Sequence, residues 1–151
     1  MRTRGFTIIE IIIVMGIVAT ITGMISVSLF SSQHKASINS TLLILQSDLR
    51  QQQQKAMTGD VTNIGAVSPC GIHFDANKYT LFCGTFSSGN SANFEVELEN
   101  NLSVSSTPSN EILFSKGSGE IPVQYEIKLS DNFNNSKTLY LNKLGVITGQ
   151  N

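Results

Sequence analysis

The sequence predicts an α+β protein: a long N-terminal α-helix, transmembrane and then amphipathic, packed on a small, mainly antiparallel β-sheet domain. Three observations carry this prediction. An apolar run extends from residue 6 to residue 30 and contains one acidic residue, Glu10. An amphipathic repeat follows over residues 31–57. Short alternating segments, separated by Gly, Asn and Ser, fill the rest of the 151 residues.

The apolar run is long enough for a transmembrane helix, since about 20 residues cross a bilayer. Arg2 and Arg4 precede it, whereas eight Lys/Arg and ten Asp/Glu follow from Ser31 onward. This charge distribution predicts a cytoplasmic N-terminus and an exported C-terminal domain. A cleaved secretory signal is the alternative, but the nearest small-residue site, Ser26-Val-Ser28, lies inside the run rather than beyond it.

Glu10 is the unusual residue of the apolar run. Even on lenient insertion scales, a charged side chain at the centre of a membrane helix costs roughly 2.5–3.5 kcal/mol. The sequence therefore predicts a partner for this carboxylate.

The second part of the chain continues as an amphipathic helix over residues 31–58. Apolar residues and one glutamine recur at steps of three and four, which places them on one helix face. The polar stretch at residues 51–54 is expected to face mostly solvent, and Thr58-Gly59-Asp60 is expected to end the helix. The residues of the predicted buried face are Ile38, Leu42, Leu45, Leu49, Gln52 and Ala56.

The sequence of residues 59–151 predicts a β-rich domain, because apolar and polar residues alternate in several short segments. In the clearest one, Phe94, Val96 and Leu98 are expected to point inward and the intervening Glu95, Glu97 and Glu99 outward. Further strands are predicted at Val123–Leu129, Ile112–Phe114 and Leu139–Leu141, the last turning through residues 142–145 into Val146-Ile147.

Two cysteines, Cys70 and Cys83, flank a predicted β-hairpin. If Phe74 pairs with Tyr79, the two cysteines oppose each other on one side of the ribbon, within disulfide range. An exported domain would allow that disulfide to persist. Two free thiols, or a metal site formed with His73, are the alternatives, although His73 is expected on the opposite side of its strand.

No catalytic constellation is recognisable in the sequence. There is no phosphate-binding glycine loop, no G-x-S-x-G elbow and no pair of histidines at metal spacing, so neither an enzyme nor a cofactor is expected. The three glutamates at 95, 97 and 99 could be drawn as metal ligands, but alternate strand positions favour a solvent-facing row. Lysines are spread through the C-terminal part, which does not predict nucleic-acid binding.

The segment from Arg4 to Glu10, Arg-Gly-Phe-Thr-Ile-Ile-Glu, resembles the class III signal of type IV pilins and type II secretion pseudopilins. Gly5, Phe6, Thr7 and Glu10 match this motif in place, and Ile8 stands where leucine is usual. The rest of the chain is similar to GspH/FimT-type minor pseudopilins and minor pilins. That similarity depends on Gly71-Ile-His-Phe, on Ile112–Gly117 and on the closing segment from Leu139 to Val146.

The resemblance implies a pilin-like fold, a leader peptide at residues 1–5 and a filament-core helix at 6–30. Prepilin peptidase would cut between Gly5 and Phe6 and methylate the new amine of Phe6. The resemblance makes Glu10 the residue for assembly and register, pairing with that amine in its own chain or in a neighbour.

The implied partners are other pilin or pseudopilin subunits, prepilin peptidase and an inner-membrane assembly platform. The implied location is a bacterial inner membrane, with a single pass and a periplasmic C-terminal domain, and then a filament. A DNA-binding minor pilin and an anchored β domain unrelated to pili remain alternatives. The sequence does not separate a type IV pilus from a type II secretion system.

Overall fold

Helix α1 spans Ile8–Thr58 and is followed by eight β-strands. The computed structural model describes residues 7–59, 68–99 and 101–151, and the side chains of helix residues 24–34 are not described. Contacts divide the chain into two compact units, Met1–Ala36 and Ser37–Asn151, and each is described by itself. The strands are β1 (Cys70–Phe74), β2 (Lys78–Cys83), β3 (Phe94–Glu97), β4 (Leu102–Thr107), β5 (Glu111–Phe114), β6 (Tyr125–Asp131), β7 (Ser136–Leu141) and β8 (Ile147–Gln150).

The strands form two antiparallel sheets of four strands each. Sheet A has the order β3-β2-β1-β5, and sheet B has the order β4-β6-β7-β8. Buried and exposed residues alternate along β4 and β6 of sheet B, whereas β1 and β2 of sheet A are buried along most of their length. A single core cluster joins both sheets to helix residues 38–56. The sequence analysis did not foresee the division into two sheets, and sheet rather than helix makes up most of the folded domain.

The predicted transmembrane helix is also wrong. Over the residues that the structure describes, no helix is both long enough and apolar enough to cross a membrane. The described side chains fall in two stretches of α1. Residues 8–23 carry one charged side chain, Glu10, and residues 35–58 carry Lys35, Asp48, Arg50 and Lys55. The fold class that included this helix is corrected accordingly.

The second part of α1 follows the predicted pattern. All six residues of the predicted face are at most 2% exposed and belong to the buried interior of the domain. The helix ends where expected, because Gly59 adopts φ 94° and donates its N–H to the Lys55 carbonyl at 2.8 Å. A glycine in this left-handed conformation is a common helix terminator, since it has no Cβ to clash.

The cysteine hairpin has the predicted register. Strands β1 and β2 pair Cys70 with Cys83 and Phe74 with Tyr79. The two cysteines form a disulfide with their Cα atoms 4.0 Å apart. The disulfide prediction is confirmed, and the alternatives of free thiols and of a metal site that uses both cysteines are wrong.

The predicted orientation of Phe94 is wrong. Val96 and Leu98 pack partly against the core as expected, but Phe94 is 65% exposed. Phe94 is the first residue of β3, the edge strand of sheet A, so it lies at a corner of the sheet, whereas Val96 lies further along the strand. Strand β4 was not among the predicted strands, although Leu102, Val104 and Ser106 alternate inward along it.

Candidate functional site

The first part of helix α1 exposes nearly all of its apolar side chains. Ten of them between residues 8 and 21 are each at least half exposed, with Ile8 at 79% and Met15 at 69%. Soluble monomers rarely expose contiguous apolar surface on this scale, so such a surface marks a site of interaction. The members of this apolar helix surface are Ile8, Ile9, Ile11, Ile12, Ile13, Val14, Met15, Ile17, Val18 and Ile21.

Thr7 and Glu10 cap the N-terminal end of the apolar helix surface. The Thr7 hydroxyl oxygen accepts the Glu10 backbone N–H at 3.4 Å. In return, Glu10 Oε2 accepts the Thr7 backbone N–H at 3.3 Å and the Thr7 hydroxyl at 3.2 Å. This reciprocal arrangement is a capping box, in which two backbone donors that the helix leaves without partners are satisfied by side chains.

The capping box supplies a partner for Glu10 within its own chain. The predicted partner, the amine of Phe6, lies outside the described residues together with Gly5, so cleavage, methylation and the register role of Glu10 stay predictions. The Thr-x-x-Glu spacing was present in the sequence, but its position in an apolar run favoured a membrane interpretation. Glu10 therefore has a structural role that requires no neighbouring subunit.

His73 lies on the side of β1 opposite to the disulfide. Its ring stacks on Phe86, with centroids 4.0 Å apart and an interplanar angle of 8°. Nε2 lies 3.8 Å from an Asp75 carboxylate oxygen and Nδ1 lies 3.8 Å from one of Glu111. Because the carboxylates approach different ring nitrogens, they do not converge on one ligand. Among the described residues, no three His, Cys, Asp or Glu side chains are placed to hold a metal ion.

One flank of α1 binds sheet A through polar side chains. The Tyr79 hydroxyl donates to Asp48 Oδ2 at 2.6 Å. Ser37 donates to a carboxylate oxygen of Glu99, just after β3. Burial, followed by the hydrogen bond to Asp48 and its negative charge, raises the pKa of Tyr79 well above its ordinary value. We call this side the sheet A flank.

The other flank of α1 binds sheet B and the loops beside it. Gln53 Nε2 donates to the Gly119 carbonyl at 3.0 Å and to the Leu144 carbonyl at 2.8 Å. Gln46 donates to the side chain of Gln150 in β8 at 2.9 Å. Nothing local in the sequence marks Gln53 for this role, because its acceptors are backbone carbonyls 66 and 91 residues away. We call this side the sheet B flank.

The glutamine stretch at residues 51–54 has mixed exposure. Gln51 and Gln54 are exposed, as expected of most of the stretch, and Gln52 is 1% exposed, as its place on the predicted buried face indicates. The Oε1 atom of Gln52 lies 3.9 Å from the sulfur of Cys83. Gln53, which was expected to have no particular contact, holds the C-terminal end of the helix through its two hydrogen bonds.

Comparisons with protein-family models, with curated proteins and with solved structures found no match to this chain. The resemblance to type IV pilins and pseudopilins therefore stays a prediction from the motif at Gly5–Glu10. The localisation that it implies, an inner membrane and then a filament, stays a prediction as well.

Proposed function

We propose that this chain is a structural subunit of a type IV pilus or type II secretion pseudopilus, of the minor pilin or pseudopilin type. The observation that carries the proposal is the apolar helix surface, which has no covering partner within the described part of its own unit. In a filament, apolar faces of neighbouring helices bury one another, and each buried methylene contributes about 0.8 kcal/mol.

The prepilin motif supports the same route. Gly5 and Phe6 would form the cleavage site, and Phe6 would carry the methylated amine. The capping box fits this arrangement, because Thr7 caps α1 one residue after the proposed new N-terminus. The partners of the proposal are other pilin or pseudopilin subunits, prepilin peptidase and an assembly platform. Its place in the filament is at initiation or at the tip.

The first test is the mass of the intact full-length chain, expressed with and without a prepilin peptidase. The expected product begins at Phe6 and carries one added methyl group, and it forms only when the peptidase is present. A chain that begins at Met1 in both cases contradicts the proposal. A start between Leu29 and Ser32 would indicate ordinary secretion and contradicts it equally.

The second test asks whether the apolar helix surface drives incorporation into a filament. Ile12 is 64% exposed on this surface, and Leu43, at 65%, lies on the same helix outside it. Ile12→Ser should lower incorporation roughly tenfold, since a buried isoleucine contributes about 1.5–3 kcal/mol. Leu43→Ser is the matched control and should incorporate like the wild type. Equal behaviour of the two variants would remove the assigned role of the surface.

A further inference from the structure

A cavity of about 230 Å³ lies on the sheet B flank of helix α1. We name it the Arg50 groove. Gly145 shapes it: a Cβ at this position would lie 2.6 Å from Gln53 Nε2, and the residue has φ 71°. The groove is lined by Leu49, Arg50, Gln53, Gly145, Val146 and Ile147.

The rim of the Arg50 groove combines apolar surface with positive charge. Leu144 is 58% exposed and Val146 is 51% exposed. Arg50 is exposed on the helix side, and Lys143 is exposed in the turn that precedes Leu144. The neighbouring loop contributes one acidic residue, Glu120. The residue after it, Ile121, donates its N–H to the Lys143 carbonyl. The rim therefore carries two cations against one carboxylate.

The edge of sheet A at β3 has the complementary composition. Phe94 is 65% exposed there, and Glu95, Glu97 and Glu99 are all exposed. Lys78 on β2 binds Glu95 at 2.9 Å. With this pair neutralised, Glu97 and Glu99 leave the edge negative. We call this surface the β3 edge.

The two surfaces lie beside different flanks of helix α1 within one molecule. Glu99, two residues after β3, accepts a hydrogen bond from Ser37 on the sheet A flank. Gln53 and Arg50 belong to the sheet B flank. The β3 edge of a chain therefore does not reach its own Arg50 groove. Two complementary surfaces at different places on one molecule allow head-to-tail association, which propagates into filaments or rings.

We propose that the β3 edge of one copy docks into the Arg50 groove of a second copy. Phe94 enters the apolar opening of the groove, and Glu97 faces Arg50 and Lys143. This inference rests on the proposed filament function. It adds a contact between folded domains to the proposed contact between N-terminal helices. A contact this small is weak by itself, but repetition along an assembly held by the helices adds avidity.

The test mixes two charge-reversed versions of the full-length chain in a nonionic detergent that covers the apolar helix surface. Arg50→Glu alone places two carboxylates together, and Glu97→Arg alone places two cations together. In the mixture, the intact groove of the second variant can accept the intact edge of the first. A carbodiimide, which joins lysine amines to carboxylates, then records which residues meet.

The expected product of the mixture is a link from Lys143 of an isotopically heavy Glu97→Arg chain to Glu97 of a light Arg50→Glu chain. The wild type should form the same link between heavy and light copies. The Arg50→Glu variant alone should form roughly fivefold less of it, because an exposed charge pair is worth up to about 1 kcal/mol, which is a factor of about five. The intramolecular link between Lys78 and Glu95 measures the yield of the reaction.

Lys128→Glu is the matched control, since it makes the same change of charge at an exposed position of β6, away from both surfaces. It should link like the wild type. Absence of the heavy-to-light link in the mixture, or wild-type linking by Arg50→Glu alone, overturns the contact. If the heavy-to-light link forms but the peptidase does not process the chain, the filament function is refuted and the contact stands. Normal processing and incorporation without linking would refute only the contact.

Discussion

The two parts of helix α1 present the same kinds of residue to very different surroundings. Between residues 8 and 21 the apolar side chains are at least half exposed, whereas between 38 and 56 the apolar face is almost fully buried against the two sheets. Isolated helices are marginal in water, and packing of one face normally stabilises them. The second part has that packing within its own unit, whereas the described apolar side chains of the first part stay exposed within theirs.

The ends of the helix show the same difference. Its beginning is fixed by a local exchange of hydrogen bonds between Thr7 and Glu10. Near its end, Gln53 donates to two distant carbonyls, and the Ala56 carbonyl accepts the N–H of Gly117 at 2.8 Å. The first part is thus specified by neighbouring residues alone, and the second by the tertiary fold.

The largest expected effect comes from truncating one residue in each part. Leu45 is 1% exposed, so Leu45→Ala should lower the free energy of unfolding by about 2–5 kcal/mol through lost burial and a cavity. Ile12 is 64% exposed, so Ile12→Ala should change it by no more than about 0.5 kcal/mol. Urea unfolding of the full-length chain, followed by circular dichroism, measures both. Comparable losses in the two variants would show that residues 8–21 are packed within the monomer.

The elements that could be predicted from the sequence are those fixed by short-range patterns. The buried face of α1 follows from helical spacing, and the pairing of Cys70 with Cys83 follows from the symmetry of apolar residues about a tight turn. The stop at Gly59 follows from the conformational freedom of glycine. In each case the determining residues lie close together in the chain.

The elements that could not be predicted depend on which distant segments meet. The division of eight strands into two sheets depends on β5 joining β1 and on β4 joining β6, and neither pairing has a local signal. The exposure of Phe94 depends on its position at a corner of sheet A, at the start of the edge strand β3. For the candidate site, the apolar run was evident from the sequence. The expected partner of Glu10 was the amine of Phe6, whereas in the structure Glu10 pairs with Thr7.

The next effect concerns the polar contact that holds the second part of the helix to sheet A. Burial and the Asp48 carboxylate keep the pKa of Tyr79 raised in the folded state, whereas an unfolded tyrosine ionises near pH 10. Unfolding therefore releases a proton above pH 10. The stabilisation is fully present below pH 10 and is lost as the pH rises further, by up to about 1.4 kcal/mol per pH unit.

Tyr79→Phe isolates this effect. Relative to the wild type, the variant should lose less stability between pH 9 and pH 11 in urea unfolding, because phenylalanine has no proton to release. Tyr140→Phe is the control, since Tyr140 is 40% exposed on the outer side of sheet B. Its pH profile should match that of the wild type. A steeper alkaline loss in Tyr79→Phe would contradict the assigned direction.

The smallest expected effect concerns the cap of the first part. Thr7→Ala removes the hydroxyl that accepts the Glu10 N–H, and loss of such a cap costs about 0.5–2 kcal/mol of local helix stability. The Glu10 amide should then exchange its hydrogen roughly two to thirty times faster, as measured by NMR on the full-length chain in detergent. The Leu45 amide, in the packed part, should exchange at the wild-type rate.

Glu10→Gln separates the cap from the charge. Glutamine retains an oxygen that can accept the Thr7 N–H, as the capping box allows, but it carries no charge. The Thr7 amide should therefore exchange at nearly the wild-type rate in Glu10→Gln and faster in Glu10→Ala. If glutamine and alanine accelerate exchange equally, charge rather than hydrogen bonding fixes the start of the helix. The negative charge of Glu10 would then act on the positive end of the helix dipole at the start of α1.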